Sequence, residues 1–266
     1  GLSPEELLEI IQRLDRTEQL DYFTVTGGTI STFRSRGWNI PSAYYGLGTF
    51  VTLAGRIRST VNTPVIVTGR IVTPAQAEQV LKSGAADLVG MTRALIADPD
   101  LPTKARNQQP EQIRVCMGSN EGCIDRLYFG LPIGCVQNPV VGREQSWGNL
   151  TPATKPRHIV VIGGGPAGME TARVAASRQH QVTLLERDNK LGGAIQIVAR
   201  ASGWESYLQC VTWLKNQLQD LEIDIRLETD ATTNLICSLS PDAVVVATGA
   251  EPRRPNLAGA NLPHVV

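Results

Sequence analysis

No sign of charge prevails in this sequence: 25 lysines and arginines stand against 25 aspartates and glutamates in 266 residues. A balanced chain gives nucleic acid or an anionic membrane surface no field to follow, so neither is expected as a partner. No apolar run reaches the length of a membrane span, and no charged stretch followed by an apolar one opens the chain. The reading is therefore a soluble, cytoplasmic protein. Five cysteines are too few for a disulfide framework. What is left, 42% hydrophobic residues and 25 glycines, is an ordinary globular composition, long enough for two cores.

Three of the five cysteines crowd into CMGSNEGCIDRLYFGLPIGC, at Cys116, Cys123 and Cys135. With a cysteine at position 119 the run would read C-x2-C-x3-C-x11-C, with soft sulfurs close enough on one loop to wrap a cubane iron–sulfur cluster. Ser119 stands there instead. Three readings stay open: a [4Fe–4S] cluster with a serine or water ligand, a degenerate three-iron cluster, or a loop of ordinary buried thiols.

Before this loop the pattern alternates helix and strand. SPEELLEIIQRL carries an N-cap Ser3, a proline at the first helical position and Glu6 in capping-box register. Strands are expected at Asp21–Thr26, around Val65–Thr68 and at Asp87–Met91, and helices at Phe50–Val61 and Pro74–Ser83. Short βα units in series imply parallel strands with right-handed crossovers. The strands run out at Thr26-Gly27-Gly28, Gly69-Arg70 and Thr92-Arg93, the carboxyl ends where such folds hold ligands. Arg70 and Arg93 suit a phosphate through guanidinium forks; the plainer alternative pairs them with Asp98 and Asp100.

VTGRI at 67–71, DLVGMTRALIADPDLPTK at 87–104 and the cysteine loop with VQNP at 136–139 resemble the closing half of the old yellow enzyme barrel. More closely they resemble the long branch that contains trimethylamine dehydrogenase, 2,4-dienoyl-CoA reductase and the N-methyl amino-acid demethylases. The resemblance implies an FMN in a (β/α)8 barrel, a [4Fe–4S] cluster on the loop behind it, and a dinucleotide-binding domain. By position it implies that Gly69, Arg70, Met91, Thr92 and Arg93 hold the FMN phosphate and that Cys116, Cys123 and Cys135 derive from cluster ligands. It also implies that barrel strands one to five precede this chain's first helix, and three strands alone cannot close a barrel.

Residues 27–48, GGTISTFRSRGWNIPSAYYGLG, make a long connection of the kind that usually binds ligands. The dienoyl-CoA reductase type places a proton-handling histidine just after this strand, and the loop has none. The amine-oxidising type surrounds a methylated nitrogen with aromatic rings, which makes Trp38, Tyr44 and Tyr45 the candidate catalytic-site residues through cation–π contact. Packing against the barrel end is the alternative. Arg34 and Arg36 add charge to the same loop.

Residues 140–156 have no apolar period and read as a linker. HIVVIGGGPAGMETARVAASRQHQVTLLERDNKLGG then gives strand, glycine loop, helix, strand and a terminal acid, the context in which G-x-G-x-x-G carries meaning. Gly163 makes the turn, Gly165 admits the pyrophosphate, Gly168 lets helix meet strand, and Glu186 accepts from ribose hydroxyls and repels a 2′-phosphate. GGGPAG, LLERDNKLGG and VVVATGAEPRRP resemble the FAD or ADP half of the flavoprotein disulfide-reductase fold, which draws in Pro166, Ala167, Arg187 and Gly249.

The expected fold is α/β: the C-terminal portion of a TIM barrel over residues 1–115 (strands six to eight), the cysteine loop at 116–139, the linker at 140–156, and a Rossmann-like FAD/ADP-binding domain at 157–266. The expected activity is FMN-dependent oxidative N-demethylation of a methylated amine or amino acid. Its electrons leave through an iron–sulfur centre or a second flavin to an electron-transfer protein, in a homo-oligomer acting on a small molecule. The alternatives are an NAD(P)H-dependent enoate or dienoyl-CoA reductase and a non-catalytic dinucleotide-binding module.

Overall fold

The structure, a computed structural model, describes residues 2–251, 256–259 and 262. The side chain of Arg34 and the PRRP end of the VVVATGAEPRRP motif lie outside the described residues.

The chain begins as its capping signals require. Helix α1 (Pro4–Asp15) opens with the Glu6 amide donating to the Ser3 hydroxyl at 3.2 Å, while the Ser3 amide donates to the Glu6 carboxylate at 2.7 Å. Strand β1 (Phe23–Val25), helices α2 (Phe33–Asn39) and α3 (Val51–Arg58), strand β2 (Val65–Val67), helix α4 (Pro74–Lys82) and strand β3 (Leu88–Val89) follow. The strands form one parallel sheet in the order β1-β2-β3, with Val25 opposite Val67 and Val67 opposite Val89. Val65 and Val67 on the central strand are fully buried, and Phe50, Ala54 and Ile57 cover them together with Ile11, Val80 and Ala86. Both outer strands are edges and Leu88 is half exposed, so this is an open sector of a barrel.

Two segments read as irregular contain helix. The connection after β1 is interrupted by α2, started by Thr32, whose hydroxyl accepts from the Ser35 amide at 3.2 Å. Its residues show no apolar stripe because it packs through one ring, Trp38, set edge-on to Phe50 at 5.7 Å. After β3 come α5 (Thr92–Ala97) and α6 (Leu101–Arg106), a 3₁₀ turn at Pro110–Gln112, α7 (Ile124–Tyr128) inside the cysteine loop, and α8 (Glu144–Trp147), one turn within the expected linker.

The second half is a four-stranded parallel sheet in the order β6-β5-β4-β7. Its elements are β4 (His158–Ile162), α9 (Pro166–Ser177), β5 (Gln181–Leu185), α10 (Ile195–Val198), α11 (Leu208–Gln219), β6 (Asp224–Arg226), α12 (Thr233–Leu239) and β7 (Ala243–Val246). A 3₁₀ turn at Glu205–Tyr207 leads into α11. Val161, Met169, Ala172, Leu184, Leu214 and Leu218 form its core.

The halves are joined by side chains. The Trp213 indole donates to the Gln112 carbonyl at 2.9 Å, the Ser206 hydroxyl to the Met117 carbonyl at 3.1 Å, and the Arg114 guanidinium lies 4.0 Å over the Trp213 ring. Ala43 and Met117 belong to the second core. No helix among the described residues is long and apolar enough to cross a membrane.

Candidate functional site

The carboxyl ends of β2 and β3 open on a cavity of about 270 Å³. Gly69, Arg70, Met91, Thr92 and Arg93, the five residues expected at a flavin phosphate, all line it, together with Ile40 and Pro41. The two arginines are held differently. Arg70 is buried, and its Nη1 donates to the Ala43 carbonyl at 3.0 Å and to the Tyr45 carbonyl, so its terminal fork supports the loop after β1. Its Nε is buried without a partner. Burial pulls its pKa down, helped by the charge of Arg93. Arg93 donates from Nη1 to the Pro41 carbonyl and to Asn120 Oδ1, each at 2.7 Å. Asp98 is no partner to either: it binds Lys104 Nζ at 2.7 Å and the Arg114 amide at 2.8 Å. A buried guanidinium nitrogen in want of an acceptor beside a second arginine fits a phosphate group.

Next to this cavity a second one, about 410 Å³, is lined by Thr32, Ser35, Trp38 and Tyr45. The Trp38 and Tyr45 rings meet edge-on at 5.4 Å, and Tyr44 meets Tyr45 at 5.5 Å. Two of the three expected rings therefore line this cavity, while Tyr44 is 77% exposed. Gly27 makes the corner: a Cβ there would sit 2.6 Å from Trp38 Nε1 and from Phe50 Cε1.

The cysteine loop folds tightly, with the Gly134 amide donating to the Gly122 carbonyl at 2.7 Å, which draws Cys123 and Cys135 toward each other. Burial pushes the Cys116 thiol up against the opposing pull of the Gly118 amide and Arg93, and burial likewise raises Cys123. Ser119 lies beside Tyr207, whose phenol burial and Glu121 push up while Ser119 opposes them. Among the described residues no three His, Cys, Asp or Glu side chains are grouped as a metal site requires. Three thiols and a serine do not make the four-thiolate set of a cubane cluster.

In the second half the glycine loop stands where its spacing places it. A Cβ on Gly168 would collide with the Gly163 carbonyl oxygen, so α9 meets β4 only because that residue has none. Gly165 is the N-cap of α9 and offers no side-chain cap, and a Cβ there would meet nothing within 4 Å. Pro166 opens the first turn without an N–H of its own, and the Ala167 and Gly168 N–H groups are the free donors there. Glu186 is buried; it accepts from the Gly164 amide at 2.6 Å and the Asp188 amide at 2.8 Å, which fixes its carboxylate beside the loop. Arg187 and Gly249 are exposed, Gly249 just beyond β7. This donor set fits an adenine dinucleotide.

Asn120, Arg114 and Trp213 were not legible as site residues. Asn120 lies between two expected cluster positions, and nothing in one sequence shows that it reaches across to Arg93 and, through Nδ2, to the Ile40 carbonyl at 3.0 Å.

Residues 34–112 match the model of the NADH:flavin oxidoreductase / NADH oxidase family, and residues 158–266 match that of pyridine nucleotide-disulphide oxidoreductases. An N,N-dimethylglycine/sarcosine dehydrogenase of Chromohalobacter salexigens is 41% identical over 255 residues, 95% of this chain and 37% of that protein. A metal reductase of Desulforamulus reducens is 43% identical over 212 residues, 78% of this chain and 32% of that protein. The structure of a 2-naphthoyl-CoA reductase in complex with 2-naphthoyl-CoA superposes with a TM-score of 0.88 at 32% identity, over 99% of this chain and 40% of that one. The chain thus spans between 32% and 40% of the length of these three proteins.

Proposed function

The chain belongs to the NADH:flavin oxidoreductase / NADH oxidase family, with a pyridine nucleotide-disulphide oxidoreductase segment behind the flavin part, and from this premise we propose that it serves the oxidative demethylation of an N-methyl amine or amino acid. The observation that carries the reading is the pair Trp38 and Tyr45, whose rings line a cavity beside the arginine-lined one. A methylated ammonium is a weakly hydrated cation, and aromatic faces attract it without a counter-carboxylate. FMN, when bound, would supply the chemistry by accepting a hydride from the N-methyl carbon.

The chain's own residues supply placement. Arg93 and the unpartnered Nε of Arg70 would receive the flavin phosphate, and Phe50, which lines the first cavity and touches Trp38, separates that end from the amine space. In the second half the first turn of α9 would hold a pyrophosphate and Glu186 the adenosine ribose, and a second flavin or nicotinamide bound there would supply an electron acceptor. Relatives named as reductases make the opposite direction the second reading. A proton donor facing an enoyl substrate is what that reading requires, and the loop from 27 to 48 contains no histidine.

The test is anaerobic flavin bleaching on the natural-length protein with sarcosine, dimethylglycine and N-methylproline against cinnamate and a dienoyl-CoA. Reduction by an N-methyl compound, weakened about tenfold or more in Trp38→Ala through a raised KM, supports the proposal. Reoxidation of pre-reduced flavin by the enoyl compounds alone would reverse it.

A further inference from the structure

We infer that Asn120 is a positioning residue for the flavin phosphate, acting through Arg93. This deepens the assignment of Arg93 and rests on it. Arg93 makes two hydrogen bonds, to the Pro41 carbonyl and to Asn120 Oδ1, both from Nη1. The Nε–Nη2 edge of the fork is left for an anion, and a guanidinium binds phosphate best through two parallel N–H groups. Arg93, Ile40 and Pro41 line the cavity, whereas Asn120 stands behind them, outside its lining.

Asn120 suits this place for three reasons. Its amide is bifunctional: Oδ1 accepts from Arg93 while Nδ2 donates to the Ile40 carbonyl at 3.0 Å, tying the arginine to the loop that carries Trp38 and Tyr45. Its φ of 66° lies in the left-handed region, which asparagine enters more readily than most residues. Its carbonyl accepts the Cys123 and Asp125 amides at 3.3 and 3.1 Å, so the start of α7 fixes the backbone from which the side chain reaches back. A long cation on a flexible stem loses less freedom on binding when it is already held at one nitrogen. The neighbouring Gly118 does the same for Arg70, since its carbonyl accepts the Ala43 amide at 2.8 Å while Arg70 donates to the Ala43 carbonyl. The strip 118–120 thus backs both arginines, which gives the cysteine loop work independent of any metal.

Riboflavin and FMN differ only by the phosphate, so their affinity ratio isolates the claim from general folding effects. Flavin-stripped natural-length protein is titrated with each, for the native chain and for Arg93→Ala, Asn120→Gly and Asn120→Asp. Glycine keeps the backbone and deletes the amide; aspartate keeps the acceptor for Arg93. The expected result is that Asn120→Gly lowers FMN affinity about tenfold, the size of one lost charge-assisted hydrogen bond, and leaves riboflavin within about twofold. Asn120→Asp, which keeps the acceptor but loses the donor to Ile40 and sets a negative charge beside the phosphate, recovers no more than part of the preference, and Arg93→Ala/Asn120→Gly loses no more than Arg93→Ala. If the glycine variant does not fold, Asn120→His, also tolerated at positive φ, gives the same readout. A ratio lost in Arg93→Ala but intact in Asn120→Gly overturns the inference alone. A ratio unchanged in Arg93→Ala overturns the phosphate assignment of Arg93 and the inference with it.

Discussion

On the proposed reading the two halves of this molecule would meet a phosphate-bearing ligand at the carboxyl edge of a parallel sheet by opposite means. In the first half the donors are guanidinium groups, Arg70 and Arg93, delivered by short strands and steadied from outside by the loop carbonyls of Pro41, Ala43 and Tyr45 and by Asn120. In the second the donors are backbone N–H groups at the start of α9, and the shape is set by residues that lack a side chain. A side-chain cradle depends on distant parts of the chain to be ordered; a backbone cradle is complete within one strand, turn and helix.

The largest test of that difference is Gly168→Val. With no room between α9 and the Gly163 carbonyl, the variant should lose its adenine-containing nucleotide almost entirely and lose roughly 3 kcal/mol of stability or more. FMN, released by acid and separated by chromatography, should stay near native stoichiometry; loss of both flavins together would deny that the cradles are independent. Trp213→Ala comes next. It removes a buried ring that donates to Gln112 and carries Arg114, and about 3 kcal/mol should go with it. Calorimetry should then resolve two transitions where the native protein shows one.

A third effect concerns pH. Burial raises the Cys210 thiol from 9.0 to about 11. The thiol is neutral in the folded protein and ionises earlier in the unfolded chain, so its stabilising contribution is complete below pH 9 and is lost as pH climbs toward 11. The loss should be at most roughly 2 to 3 kcal/mol, and Cys210→Ala should flatten that limb of the stability–pH curve in urea titrations. The smallest effect on folding is expected from Ser119→Cys, yet it decides the chemistry of the loop. After anaerobic iron and sulfide treatment the variant should take up about four irons per chain, and the native protein should not. Equal uptake by the native protein would show that serine or solvent completes the set.

Much of this was legible because the signals are local. The capping box at Ser3 and Glu6, the valines of β2 and the glycine spacing at 163–168 each act through neighbours in sequence, and each stands in the structure at its expected place. The helix α2 was not legible, since seven residues with one ring packed against Phe50 leave no periodic trace. Nor was the division of labour between Arg70 and Arg93, which the sequence presents as equivalent strand ends.

By itself, then, the sequence determined the two parallel α/β halves, their order, and the glycine cradle, because backbone conformation and apolar period are properties of adjacent residues. Only the tertiary structure decided that Arg70 supports a loop while Arg93 lines a cavity held at one nitrogen, that Ser119 lies beside Tyr207, and that Asn120 reaches Arg93. Those are encounters between residues 27 to 88 positions apart, and the hydrogen bonds among them, Arg70 to Ala43 and Arg93 to Asn120, form where folding brings donor and acceptor to about 3 Å, whatever their separation along the chain.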